Sequence, residues 1–134
     1  MIRAGDVTDG LSNTYLLGEK NLCPDYYEDG GNDAGDNAFA MCGFDIDGYR
    51  FANDYSNCFD SHGNPCTQWS GPGPYPDTPG DSTHCYCFGS AHFTAFNMAF
   101  CDGSVRATNY SIDLTTHSRL CNRHDGQTVD ARKF

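Results

Sequence analysis

The sequence predicts one α+β domain: an antiparallel sheet with a short C-terminal helix, carried among long disulfide-stapled loops. Three observations predict it. Phe96, Met98 and Phe100 alternate ahead of Asp102-Gly103, which is hairpin chemistry. Residues 111–121 place capping side chains ahead of apolar ones, the pattern of a short helix. Eight cysteines in 134 residues, with 15 glycines and 6 prolines, point to a small core held together through its loops.

Taken in chain order, Val7-Thr8-Asp9-Gly10-Leu11-Ser12-Asn13-Thr14 supplies a turn. The apolar run Tyr15-Leu16-Leu17, closed by Gly18, then reads as a strand or a short helix. Residues 23–60 are rich in Asp, Gly, Asn and aromatics without clean periodicity, so irregular structure is expected there, with one strand near 38–44. The Gly/Pro stretch 71–80 cannot be a helix or a central strand, because Pro lacks an amide proton and Gly loses much entropy on ordering; an exposed loop is expected. In the hairpin at 96–108, Asp102-Gly103 is expected to form a two-residue turn at positive φ, with Val105 resuming the alternation. Ser111 or Asp113 would cap a helix of two to three turns ending near Cys121, and a last strand is expected near 127–129. No internal repeat and no dividing linker occur, so residues 1–134 form a single domain.

Composition narrows the function. Hydrophobic residues make up 38% of the chain, so the core is small. Eighteen acidic against eight basic side chains give a formal charge of −10, which disfavours nucleic acid and anionic lipid surfaces as partners. No apolar run approaches the roughly 20 residues needed to span a bilayer, and Met1-Ile2-Arg3-Ala4-Gly5-Asp6 does not resemble a signal peptide. An even cysteine count suits four bridges and an extracellular or cell-surface location, so the expectation is a mature or truncated piece without its leader. The eight are Cys23, Cys42, Cys58, Cys66, Cys85, Cys87, Cys101 and Cys121. Spacing leaves their pairing open, although Cys58 with Cys66 would close a short loop. Each bridge would contribute about 2–4 kcal/mol, so reduction should cripple such a fold. Zinc is the competing use of His84-Cys85-Tyr86-Cys87 and of His62 near Cys66, but paired ligands at finger spacing are missing.

Other candidate sites are weaker. Asp45-Ile46-Asp47-Gly48 makes Asp45 and Asp47 the candidate calcium ligands, with Asp29, Asp33 and Asp36 in a second acidic loop; neither completes an EF-hand, and solvated loops are the default. The expected cofactor is therefore none, or calcium. His92 and Asp102 would stand roughly 33 Å apart on a fully extended segment, so Asp102 is better explained by the turn and His92 by a structural role. Trp69 and the tyrosines could serve a glycan platform or a subunit interface, although a chain poor in aliphatics needs them in its core. Asn109-Tyr110-Ser111 is a glycosylation sequon.

Two blocks carry a family resemblance. One is Val7 to Thr14 with Gly18-Glu19, which includes Asp9, Gly10, Ser12, Asn13 and Thr14. The other runs from Phe88-Gly89-Ser90-Ala91-His92 through Asn97 to Val105, including Asp102 and Gly103, then Ser111-Ile112-Asp113, Leu120, Arg123 and Gly126. Together they resemble the large planctomycete domain-of-unknown-function family whose C-terminal motif is His, nine residues, Asp-Gly. That resemblance implies a prepilin-like protein with a pilin-like globular head, in which about 20–87 is a cysteine-rich insertion and the motif residues are structural. Type IV pilins and pseudopilins begin with a long hydrophobic helix, which this sequence lacks. The function expected is a non-enzymatic structural subunit of an extracellular filament or cell-surface assembly, its partners being further copies of itself. The alternative is a secreted module that binds a glycan or another ligand; a metal-assisted hydrolase is a third reading.

Overall fold

A computed structural model describes residues 2–29, 33–38, 47–52 and 73–130. Among them the strands are β1 (Tyr15–Gly18), β2 (Tyr75–Pro76), β3 (Gly89–Ser90), β4 (Ala95–Phe100) and β5 (Val105–Asn109), followed by helix α1 (Leu114–Leu120). β4 lies between β1 and β5, antiparallel to both, while β2 and β3 form a separate parallel pair. The antiparallel sheet with one short C-terminal helix is the α+β architecture that the sequence predicts.

The core grows from the alternation in β4. Phe96, Met98 and Phe100 are all 0% exposed, and they pack with Ile112 and Leu120. Tyr15, Phe88, Tyr110 and Val129 close the margins. Burying each large side chain contributes about 1.5–3 kcal/mol, so this one strand provides much of the hydrophobic stabilisation. α1 covers that face. Its N-cap is Asp113, whose Oδ1 accepts from the Thr116 amide at 2.9 Å and hydroxyl at 2.8 Å. Seven residues make two turns.

The hairpin turn is one residue longer than expected. Phe100 N–H donates to Ser104 O, and Gly103 N–H donates back to Phe100 O, leaving Cys101-Asp102-Gly103 as a three-residue loop. Only Gly103 takes positive φ, at 85°, whereas a two-residue turn of the expected kind would need Asp102 there as well. Because side chains alternate at every residue, the added residue reverses the faces of β5. Val105 therefore points outward at 68% exposure, and Thr108 takes a core position. Arg106 lies over the Phe100 ring at 4.2 Å.

β1 resolves the strand-or-helix choice at 15–18 in favour of a strand, preceded by a 3-10 turn at Leu11–Asn13. Its pairing jumps from Tyr15↔Phe100 to Leu17↔Ala99, so Leu16 is the extra residue of a bulge. Leu16 and Leu17 are consequently both exposed.

Three further expectations are corrected. Residues 73–77 do not form an exposed loop: Pro74 is buried and Tyr75–Pro76 pairs with Gly89–Ser90. The Tyr75 and Asp77 amides donate to Phe88 O and Ser90 O, so Pro76 occupies the one position in the triplet that needs no donor. Residues 127–129 are not a strand; Val129 packs on the core, and Arg119 Nη1 holds Thr128 O at 3.1 Å. Finally, no disulfide joins any two of Cys23, Cys85, Cys87, Cys101 and Cys121. Four bridges would require at least one such bond, because only Cys42, Cys58 and Cys66 lie outside the described residues. Cys23, Cys85 and Cys87 are instead buried as small core side chains. The strand expected near 38–44 lies outside the described residues apart from Ala38. Among the described residues no helix is long and apolar enough to cross a membrane.

Candidate functional site

The two sequence blocks meet in space, and the bonds between them run along one seam. Gly10, at φ 100°, turns the chain so that its carbonyl accepts from Asn13 N–H and from the Thr14 hydroxyl. A left-handed φ of this kind favours glycine. Asn13 Nδ2 reaches back to Asp9 O at 3.3 Å, while Ser12 faces solvent. This turn presents Leu11 O and Thr14 O to the hairpin loop, where they accept from Asp102 N–H at 3.0 Å and Cys101 N–H at 2.9 Å. Asp9 extends its carboxylate in the other direction: Oδ2 accepts from Asp125 N–H at 2.7 Å and Oδ1 from Gly126 N–H at 3.0 Å. Thr8 N–H donates to Arg123 O at 2.8 Å.

The far end of the seam is Glu19. Its Oε2 accepts from Asn97 N–H at 2.6 Å, its Oε1 accepts from Asn97 Nδ2 at 3.1 Å, and its own N–H donates to Asn97 O. Glu19 thus fastens β1 to the middle of β4.

His92 and Asp102 occupy opposite ends of β4 and do not meet. His92 Nε2 lies 3.9 Å from Glu19 Oε1, with its side chain 66% exposed. Its backbone is fixed on both sides, by Ser90 Oγ and by the Tyr110 hydroxyl. Asp102 accepts from the Ser104 hydroxyl at 2.7 Å and amide at 2.8 Å, which hold its carboxyl below the usual range. Six strand residues span about 20 Å, too far for a shared proton.

The candidate metal ligands are engaged within the protein. Asp47 Oδ1 accepts from Ala38 N–H at 2.9 Å; Asp45 lies outside the described residues. In the upstream acidic loop Asp33 is 2% exposed and accepts from the Cys23 and Gly35 amides, and Asp36 pairs with Lys20 Nζ at 2.5 Å. His84 Nδ1 bonds Asp81 Oδ2 at 3.0 Å, and its ring stacks on Tyr75. Burial pushes the Cys87 thiol up to about 12, the opposite of what a thiolate ligand requires. Among the described residues no group of three or more His, Cys, Asp or Glu side chains is placed to hold a metal ion. Asn109 ends β5, and its Oδ1 accepts from the Ser111 amide and hydroxyl, both at 2.8 Å.

One residue that sequence reasoning passed over is His117. It is 1% exposed beneath α1, and desolvation lowers its pKa to about 4. Its spacing of three residues from Leu120 was the available signal, since it sets an imidazole beside a core leucine on the buried face of the helix.

Beside the seam is a groove of about 540 Å³ lined by residues that include Val7, Leu11, Thr14, Cys101, Cys121 and Arg123. A family model described as Protein of unknown function (DUF1559) matches residues 1–115. No curated protein and no solved structure matches the chain.

Proposed function

Given that the chain belongs to the DUF1559 family of proteins of unknown function, we propose that it is a non-catalytic, pilin-like structural subunit that assembles with copies of itself outside the cell. The observation that carries this reading is how the motif residues are used. Asp9, Gly10, Asn13 and Thr14 are committed to holding the hairpin loop and the 123–126 segment, and Asp102 to shaping its own turn. Side chains employed in this way support a role in shape rather than in turnover. The outer face of the sheet supports self-association: Leu17, Ala99 and Val105 are cross-strand neighbours, with Leu17 70% and Val105 68% exposed. Copies that each carry −10 would repel, so salt should promote assembly by screening.

Negative-stain electron microscopy and sedimentation velocity of the purified chain test the reading across concentration and ionic strength. Ordered filaments or sheets, favoured by salt, are expected. Dispersed monomers under every condition would overturn it. One observation favours the ligand-binding alternative: Phe93, in the loop between β3 and β4, is 90% exposed. Saturable glycan binding by a monomeric protein, lost in Phe93→Ala, would establish that alternative instead.

A further inference from the structure

α1 is held on the sheet around a buried imidazole enclosed by aromatic rings. His117 Nδ1 lies 3.3 Å from the Tyr15 hydroxyl, while Nε2 is buried and, among the described residues, has no hydrogen-bond partner. Aromatic rings surround it edge to face: Tyr15, Phe88 and Phe96 have centroids 5.6, 5.6 and 5.8 Å away, at 62°, 79° and 85°. If the Tyr15 hydroxyl donates to Nδ1, the ring proton sits on Nε2, and aromatic faces are its weak acceptors. Protonating Nδ1 as well reverses the Tyr15 bond, the hydroxyl oxygen now accepting from Nδ1–H, but leaves a cation in an apolar enclosure.

Among the described residues, the groups facing this ring come from each of the neighbouring elements. β1 contributes Tyr15, the approach to β3 contributes Phe88, and β4 contributes Phe96. β5 contributes Thr108, 0% exposed and beside the Tyr15 hydroxyl. Cys121 follows one helical turn later. None of these is a carboxylate that could pair with an imidazolium. Arg106 of β5, stacked on Phe100, is itself paired with Asp102 at 3.5 Å, so cation and carboxylate largely offset each other there; Phe100 in turn lies 5.1 Å from the Tyr15 ring.

We propose that α1 is an acid-released latch: a proton taken from solvent by His117 Nδ1 drives the imidazolium out of its aromatic cage and lifts α1 from a sheet that remains folded. The sheet has its own ties, in the β4–β5 ladder and the Glu19–Asn97 bonds, and neither passes through α1. A released histidine titrates near 6.5 and the docked one near 4, so the docked state loses about a hundredfold in population ratio between pH 7 and pH 4. This device is independent of whether the chain assembles.

Hydrogen exchange of the full chain at pH 7, 5.5 and 4, corrected for intrinsic rates, tests it. Amides of 114–121 should lose about a hundredfold in protection, while those of 96–108 keep theirs. His117→Phe, which fills the same cage without a titrating group, should hold α1 in place at pH 4. Helix protection in the wild type that stays constant, or that falls in step with the hairpin, overturns the latch, as does an acid response that survives in His117→Phe. Should that variant not fold, the wild-type imidazole is followed by NMR. A docked-state midpoint well below 6 that coincides with the change in α1 resonances upholds the proposal; a midpoint near 6.5 ends it.

Discussion

Replacing Asp9 by alanine removes the tie between the first motif block and the end of the second. The carboxylate accepts from two amides, at 2.7 Å from Asp125 and 3.0 Å from Gly126. A hydrogen bond to a charged group contributes about 1.5–3 kcal/mol when its partners stay dry. Here Gly126 is exposed and Asp9 is half-buried, so water can recover part of the loss. About 2 kcal/mol for the pair is the reasonable expectation, a large share of the roughly 5–15 kcal/mol available to a small domain. Asp9→Asn keeps an acceptor of the same shape but loses the charge and one acceptor oxygen, so it should forfeit about half as much. Equilibrium urea unfolding followed by circular dichroism at pH 7 measures both variants. With a slope of about 1–3 kcal/mol per molar urea, the alanine midpoint should move down by about 1 M. A change under 0.5 kcal/mol in Asp9→Ala would refute the claim that this carboxylate is a structural clasp. An asparagine variant as damaged as the alanine one would show that charge alone accounts for the effect.

Other outcomes follow from the packing. Gly89→Ala puts a Cβ 2.0 Å from Tyr75 O, a backbone atom, so the β2–β3 pair must separate; exchange protection at the Tyr75 and Asp77 amides should vanish while the β4–β5 hairpin keeps its own. Phe96→Ala empties a fully buried site that touches Tyr110 and His117, and should destabilise by about 3–5 kcal/mol in thermal or urea unfolding. Leu17→Glu with Val105→Glu alters two exposed side chains and should change stability little, about 0.5 kcal/mol each; sedimentation should nevertheless show assembly reduced at least tenfold if the outer sheet face is where copies meet.

Where an element depends on neighbours in sequence, the sequence was a good guide. The alternation at Phe96, Met98 and Phe100 and the cap at Asp113 act over a few residues, and both occur where their chemistry places them. The hairpin loop shows the limit. Asp-Gly suits both two- and three-residue loops, yet that single residue decides whether Val105 or Thr108 faces the core. The 71–80 stretch was misjudged because a proline in a strand is harmless only if its nitrogen faces away from its partner, and that depends on Gly89 and Ser90. Cysteine count was read as cross-linking, whereas Cys23, Cys85 and Cys87 fill core volume. The partners of the motif residues were illegible in the sequence: Asp9 meets Asp125 and Gly126 across more than a hundred positions. His117 escaped attention because polarity alone places histidine at a surface.

The bulged pairing of β1 with β4 brings Tyr15 against Phe100 with more than eighty residues between them. The scaffold of sheet and helix is therefore assembled almost wholly from segments near the two ends of the described chain. Loop closure becomes costlier only with the logarithm of length, about 0.6 kcal/mol for each doubling. A change of length between β1 and β2 should therefore alter the closure cost little, provided the β2–β3 pair is kept.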